Sequence, residues 1–304
     1  MNKYIAIIFL AITITFIAIT TNYAHEHDNI STKDMERLTG KSESQMKEID
    51  KKIIEYIDTI ESNPDDADAH FNLGILYEKK IKYNDAIAEY QKTINLKPDF
   101  IDARINLALV YAERNMFGES VDELNQILKI DPQNADAYKY IGLAYYKTGL
   151  MEDSIVEFKK ALNISPDDPE IHYCLENVYH SMGALDAAEA ELIKAIELDP
   201  QYKEAHVNLG FLYYEQGMFD KAMEEFKTVI DIDPKFAQAY SNMGLVYCEK
   251  KMFDDAITIL KKAIEIDPTL PEAHNNLGFA YWNKGLKDKA MREVSVYKGL
   301  IGAK

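Results

Sequence analysis

The chain has 304 residues, 47% of them hydrophobic, and a formal net charge of −17. That apolar content is ample for a packed core. The acidic balance argues against nucleic acid or an anionic bilayer surface as the main ligand, because both need clustered Lys and Arg.

Met1-Asn2-Lys3 is followed by an uncharged run from Tyr4 to Ala24, built mainly of Ile, Ala, Phe, Leu and Thr. Residues 1–24 read as a secretory signal peptide or an uncleaved transmembrane anchor. The apolar part, Tyr4 to Thr20, is long for a signal core of about 7–15 residues and close to the roughly 20 that span a bilayer. Cleavage after Ala24 would put Asn22 where a small residue is expected, which favours the anchor. Both readings make the protein exported. An anchor keeps it on the extracytoplasmic face of the membrane, whereas cleavage makes it secreted or periplasmic. Residues 25–41 are polar and aperiodic, as in a tether. Residues 42–66 show helical spacing at Met46, Ile49, Ile53, Tyr56, Ile57 and Ile60, and Pro64 ends the pattern. This segment is expected to be a lone capping helix, since the first unit of a stacked array otherwise exposes an apolar face.

The rest of the chain is periodic. Pro64, Pro98, Pro132, Pro166, Pro200, Pro234 and Pro268 each follow the last by 34 residues, and so do Tyr77, Tyr111, Tyr145, Tyr179, Tyr213, Tyr247 and Tyr281. A fixed period of this size marks a solenoid. The units are 67–100, 101–134, 135–168, 169–202, 203–236, 237–270 and 271–304. Each has the pattern helix, short turn, helix, Pro-ended turn, with no strand signal. In the first unit Ala69, Phe71, Leu73, Leu76 and Tyr77 form one apolar stripe, and Ala86, Ile87, Tyr90 and Ile94 form the second. Gly74 falls where the two helices must approach closely, and Ala108, Gly142, Gly210, Gly244 and Gly278 repeat it. Asn115, Gly149, Gly183, Gly217 and Gly285 occupy the turn inside the unit and suit a left-handed helix end, a pattern that Ile81 and Lys251 break. Units touch only their neighbours, so Cys174 and Cys248 are not expected within disulfide reach.

These units resemble the tetratricopeptide repeat family. The matching residues in the fifth unit are His206, Leu209, Gly210, Tyr213, Ala222, Phe226, Val229 and Pro234. The resemblance runs from residue 67 to about residue 300. It implies an all-α, right-handed superhelix of antiparallel helix pairs, with first helices lining a concave groove. It also implies a protein-binding scaffold and no enzyme.

The family tends to turn the second, fifth, sixth, ninth, twelfth and thirteenth residues of each unit toward that groove. The sixth is Asn72, Asn106, Asn208, Asn242 and Asn276, with Tyr140 and Cys174 in the other two units. An amide both gives and takes a hydrogen bond, so such a ladder matches the backbone of an extended peptide. It serves equally to bond neighbouring helices. Tyr146, Tyr214 and Trp282 at the twelfth position are either groove anchors or helix-packing residues. The second position is acidic in every unit but the sixth, which has Gln238. Such a row suits basic peptides, or is simply favourable first-turn charge. The carboxylate clamp of Lys and Arg found in some family members is missing here.

The fourth unit departs from the rest, with Glu176 at the close-packing position. A carboxylate there must widen the helix pair or find a donor. His172, Glu176 and His180 step by four along one helix, a spacing that can hold a metal, but no second helix offers further ligands. No nucleophile, phosphate-loop or zinc-protease motif occurs, and no cofactor is called for. The expected partner is a protein or peptide held in the groove. The alternative is self-assembly into a homo-oligomer through the last helix, where Val294, Val296, Tyr297, Leu300 and Ile301 have no following unit to cover them.

Overall fold

The computed structural model describes residues 42–302, so the apolar run and the tether lie outside the described residues. Among the described residues there are fifteen α-helices and no strand. They fall into two compact units divided after Pro166. The first unit holds α1 (Glu43–Ser62), α2 (Ala67–Lys79), α3 (Tyr83–Leu96), α4 (Ile101–Glu113), α5 (Phe117–Ile130), α6 (Ala135–Lys147) and α7 (Met151–Ile164). The second holds α8 (Pro169–Ser181), α9 (Leu185–Leu198), α10 (Lys203–Glu215), α11 (Phe219–Ile232), α12 (Ala237–Glu249), α13 (Phe253–Ile266), α14 (Pro271–Asn283) and α15 (Lys287–Leu300). Every first helix begins at the residue where its 34-residue unit begins.

Within each compact unit the helices pack as consecutive pairs. Thus α3 lies against both α2 and α4, and α11 against both α10 and α12. First helices also touch each other, α2 with α4 and α4 with α6 in one unit, α12 with α14 in the other. This places the sixth, ninth and twelfth residues of successive repeats side by side on a common face.

The pairing distance is set at the eighth residue of each repeat. A methyl group on Gly74 would stand 2.6 Å from the Tyr90 ring, on Gly142 2.8 Å from Phe158, and on Gly210 2.6 Å from Phe226. The glycines therefore let a whole aromatic ring lie under the first helix. A ring is not obligatory there: Gly244 faces Leu260 and Gly278 faces Val294, and sixteen residues after Ala108 and Glu176 the chain has Leu124 and Leu192.

The intra-repeat turns correct one expectation. Ile81 and Lys251 do not escape the left-handed turn; they adopt it, at φ 59° each, alongside Asn115 at 58° and Gly149 at 82°. The turn is closed by backbone bonds that do not depend on the side chain, such as Lys82 N–H to Tyr77 O at 2.9 Å and Met252 N–H to Tyr247 O at 2.9 Å. Tertiary packing of the two helices overrides the residue's own preference, at a cost of about 1–2 kcal/mol for a residue with a Cβ.

The capping helix is present. Ser42 and Gln45 form a reciprocal capping box at its start. Met46 and Ile49 bury themselves against Leu76 of the first repeat. At the other end α15 buries only Ala290, and Met291 is 61% exposed. Both cysteines are free and buried. No helix among the described residues is long and apolar enough to cross a membrane.

Candidate functional site

The candidate surface is the face built by the first helices. In the first compact unit the Asn72 amide N–H donates to the Asp68 carbonyl of its own helix at 2.7 Å. Asn106 reaches the Tyr90 hydroxyl at 3.5 Å, and that hydroxyl donates to Glu78 at 2.8 Å. Burial, with the Glu78 charge beside it, pushes the Tyr90 phenol far above its usual range. Tyr146 is half-buried, with the Lys147 ammonium 5.9 Å from its ring centroid. Among these groups Asn106, through Tyr90 and Glu78, ties helices together.

In the second compact unit the same positions differ among themselves. Asn208 donates to Glu176 at 2.8 Å, so the irregular carboxylate of the fourth repeat finds its donor in the fifth. Glu176 is 3% exposed, and burial raises its carboxyl above the ordinary carboxylate range. Asn242 and Asn276 are buried and present little to a ligand; the Asn242 amide nitrogen has no partner. The twelfth and thirteenth residues make a polar relay from repeat to repeat: His180 to Glu215 at 2.9 Å, then the Tyr214 hydroxyl to Glu249 at 3.4 Å. Hydrogen bonding to Glu215 raises the His180 pKa. Burial raises that of Tyr214. Trp282 is 57% exposed and Phe279 44%, three residues apart and so on one side of α14.

The stepped His172, Glu176 and His180, whose spacing alone could hold a metal, each have a partner of their own. The three side chains turn to Glu191, Asn208 and Glu215 respectively. No group of three metal-ligating side chains occurs among the described residues.

The charge of this face is one-sided. The four first helices of the second unit carry Glu170, Glu176, Glu204, Glu215, Glu249 and Glu272, against a single lysine and no arginine. That lysine, Lys203, is bound to Asp233 at 3.0 Å and lies over the Phe236 ring at 4.5 Å. The second-position acids elsewhere are partly spent within the fold, as in Asp68 with Lys97 at 3.0 Å and Asp136 with Lys139 at 3.0 Å.

One recurrent arrangement escaped the sequence reading. The fourth residue of five repeats donates to the turn before it, buried in His206 with Pro200 O at 3.1 Å and half-buried in Tyr240 with Pro234 O at 3.1 Å. The available signal was the spacing of His70, His172, His206 and His274, each followed nineteen residues later by Glu.

A stack of helix pairs repeating every 34 residues, with an aromatic and acidic face on its first helices, defines a helical-repeat solenoid. The chain belongs to the tetratricopeptide repeat family. The TPR repeat model matches residues 82–115, 109–149, 151–183, 177–217, 212–251 and 244–285, and a tetratricopeptide repeat model matches 55–88. No curated protein sequence matches the chain. Among solved structures, yeast Tom70 is similar with a TM-score of 0.63 at 19% identity, covering 93% of this chain and 65% of that one. The Cut9–Hcn1 hetero-tetramer of the APC/C gives 0.61 at 20%, covering 77% and 46%. PilF of Pseudomonas aeruginosa gives 0.57 at 18%, covering 68% and 94%. At these identities the likeness is one of fold.

Proposed function

We propose that the protein is a non-enzymatic interaction scaffold that holds a partner polypeptide on its first-helix face. The observation that carries this is the exposed pair Phe279 and Trp282 on α14, large aromatic surface left in water on a face otherwise lined by carboxylates. Such residues are the usual anchors of an interface. Asn208, Tyr214 and Trp282 are the residues of this face to test first, with Asn72, Asn106 and Tyr146 as supporting positions; Asn242 and Asn276 are too buried to serve. The apolar run from Tyr4 to Ala24 supports export, with tethering to the membrane or release after cleavage.

Affinity capture with wild type and with Asn208→Ala/Tyr214→Ala/Trp282→Ala tests the groove. A partner of the wild type is expected to be lost from a variant that melts normally. Equal recovery of every partner removes the groove from the account. Sequencing the mature N-terminus and fractionating membranes separates anchor from signal peptide.

A second reading has its own observation. On α15 Met291, Val294, Val296 and Leu300 are exposed, as is Ile301 just beyond it, although this helix is the counterpart of helices that are covered elsewhere. A second copy of the chain is the occupant proposed for that face. Light scattering decides it: a concentration-dependent rise in mass supports self-association, and a strict monomer at high concentration removes it.

A further inference from the structure

We propose that His206 is a doubly protonated clamp, so that the helix pair it ties to the preceding turn is held by a buried imidazolium and loosens as pH rises. Like the rings of His70 and His274, the His206 ring lies between a backbone carbonyl, which only accepts, and a glutamate, which only accepts in its ionised form. His70 Nδ1 stands 2.6 Å from Glu89 Oε2, and its Nε2 stands 3.1 Å from Pro64 O. His206 makes the same pair with Glu225 at 2.7 Å and Pro200 O at 3.1 Å. His274 makes it with Glu293 at 2.7 Å and Pro268 O at 3.1 Å. A neutral imidazole has one N–H and can satisfy only one of two acceptors; the imidazolium has two. All three side chains are buried, so water offers little substitute.

The other repeats act as internal controls. In the second repeat the position is Arg104, whose Nη1 donates to Glu123 at 2.6 Å while Nε and Nη2 donate to Pro98 O at 3.1 and 3.0 Å. The same two acceptors thus receive a permanent cation. In the third repeat the residue is Tyr138, and Glu157 takes its cation from Lys160 at 2.8 Å, which also lies over the Tyr138 ring. In the sixth repeat Tyr240 donates to Pro234 O, and the carboxylate position is Ile259. The carboxylate is present where a cation or imidazole can meet it and gone where only a neutral phenol stands. His172 differs again: Nδ1 meets Glu191 at 2.7 Å, but Nε2 is buried without a partner. One N–H suffices there, so it is no clamp of this kind.

The charged groups facing His206 are Glu225 on α11 and Asp199 in the turn before α10, both acidic. His70 faces Glu89 on α3, and His274 faces Glu293 on α15. The hydrogen bond to Glu225 raises the His206 pKa above the ordinary imidazole value. A group raised on folding stabilises fully below its unfolded value of about 6.5, and that stabilisation is lost as pH rises through the folded value.

The test is urea unfolding of the full chain between about pH 5.5 and 9, for wild type and His206→Arg. The wild-type unfolding constant is expected to rise with pH by up to tenfold per pH unit from the His206 step. The arginine, charged throughout as Arg104 is, is expected to remove that increment. Histidine ring NMR on the wild type is expected to show His206 titrating above about 6.5. Equal slopes in wild type and variant overturn the proposal. So does a His206 ring that titrates at or below the free value, a reading that holds even if the arginine variant fails to fold.

Discussion

At Gly210 a methyl group would stand 2.6 Å from Cε1 and 2.9 Å from Cδ1 of Phe226, and a stiff aromatic ring cannot swing its edge away as an aliphatic tip can. Gly210→Ala is therefore expected to cost about 1–3 kcal/mol by overpacking, offset by at most about 1 kcal/mol of helix propensity. Phe226→Leu in the same chain should recover part of this, because Ala108 already lives with Leu124. A double-mutant cycle in urea checks it, and additive costs would show that the two residues do not meet as described. Glu176 is the other residue-scale case. Burial raises its carboxyl pKa on folding, so its ionised form destabilises the fold. That penalty is absent at low pH and grows as pH rises through the folded value. Glu176→Gln, which keeps an acceptor for Asn208, is expected to raise the melting temperature at pH 7.5 and to change little near pH 4. Calorimetry at the two values reads the difference.

The element scale shows where local preference loses. Lys251 is exposed and holds φ 59° at the end of α12, a conformation that glycine takes without a Cβ penalty. Lys251→Gly is expected to stabilise the chain by about 1 kcal/mol in urea unfolding. The turn was legible in the sequence as a glycine or asparagine at a fixed phase. Its two exceptions looked like breaks in the turn and are instead the same turn built with unsuitable residues. A helix pair whose stripes are buried over their full length dictates the connection. The capping helix was legible for a related reason: Met46 and Ile49 recur at helical spacing, and Leu76 needs cover. The asparagine ladder was less legible. Asn208 spends its amide on Glu176, and Asn242 and Asn276 are buried, because one residue type at one phase meets a different neighbour in each repeat.

For the whole molecule, a chain of units that touch only their neighbours has no single core to unfold at once. Stability falls toward the places with the fewest buried contacts. Helix α15 buries Ala290 alone, while α11 buries Ala222, Phe226 and Val229 between two first helices. Hydrogen exchange is expected to be faster in α15 than in α11 by an order of magnitude or more, since each 1.4 kcal/mol of local opening is tenfold. Equal protection along both helices would mean that the second compact unit opens as one body, or that α15 is covered in solution by another copy.

The amino-acid order by itself determined the repeat length, the helix–turn–helix pattern of each unit, the apolar stripes and the family. These are local and periodic properties, repeated seven times, so errors in one copy are outvoted by the others. It also carried the paired signal of histidine with glutamate nineteen residues on. What only the tertiary structure decided is which polar side chains are consumed inside the stack and which remain on its face. Glu176 finds Asn208 thirty-two residues away, and His70, His206 and His274 are each caught between a carboxylate and a carbonyl. Phe279 and Trp282 are left in water. Hydrogen bonds and burial depend on distance in space, and the 34-residue phase alone does not contain it.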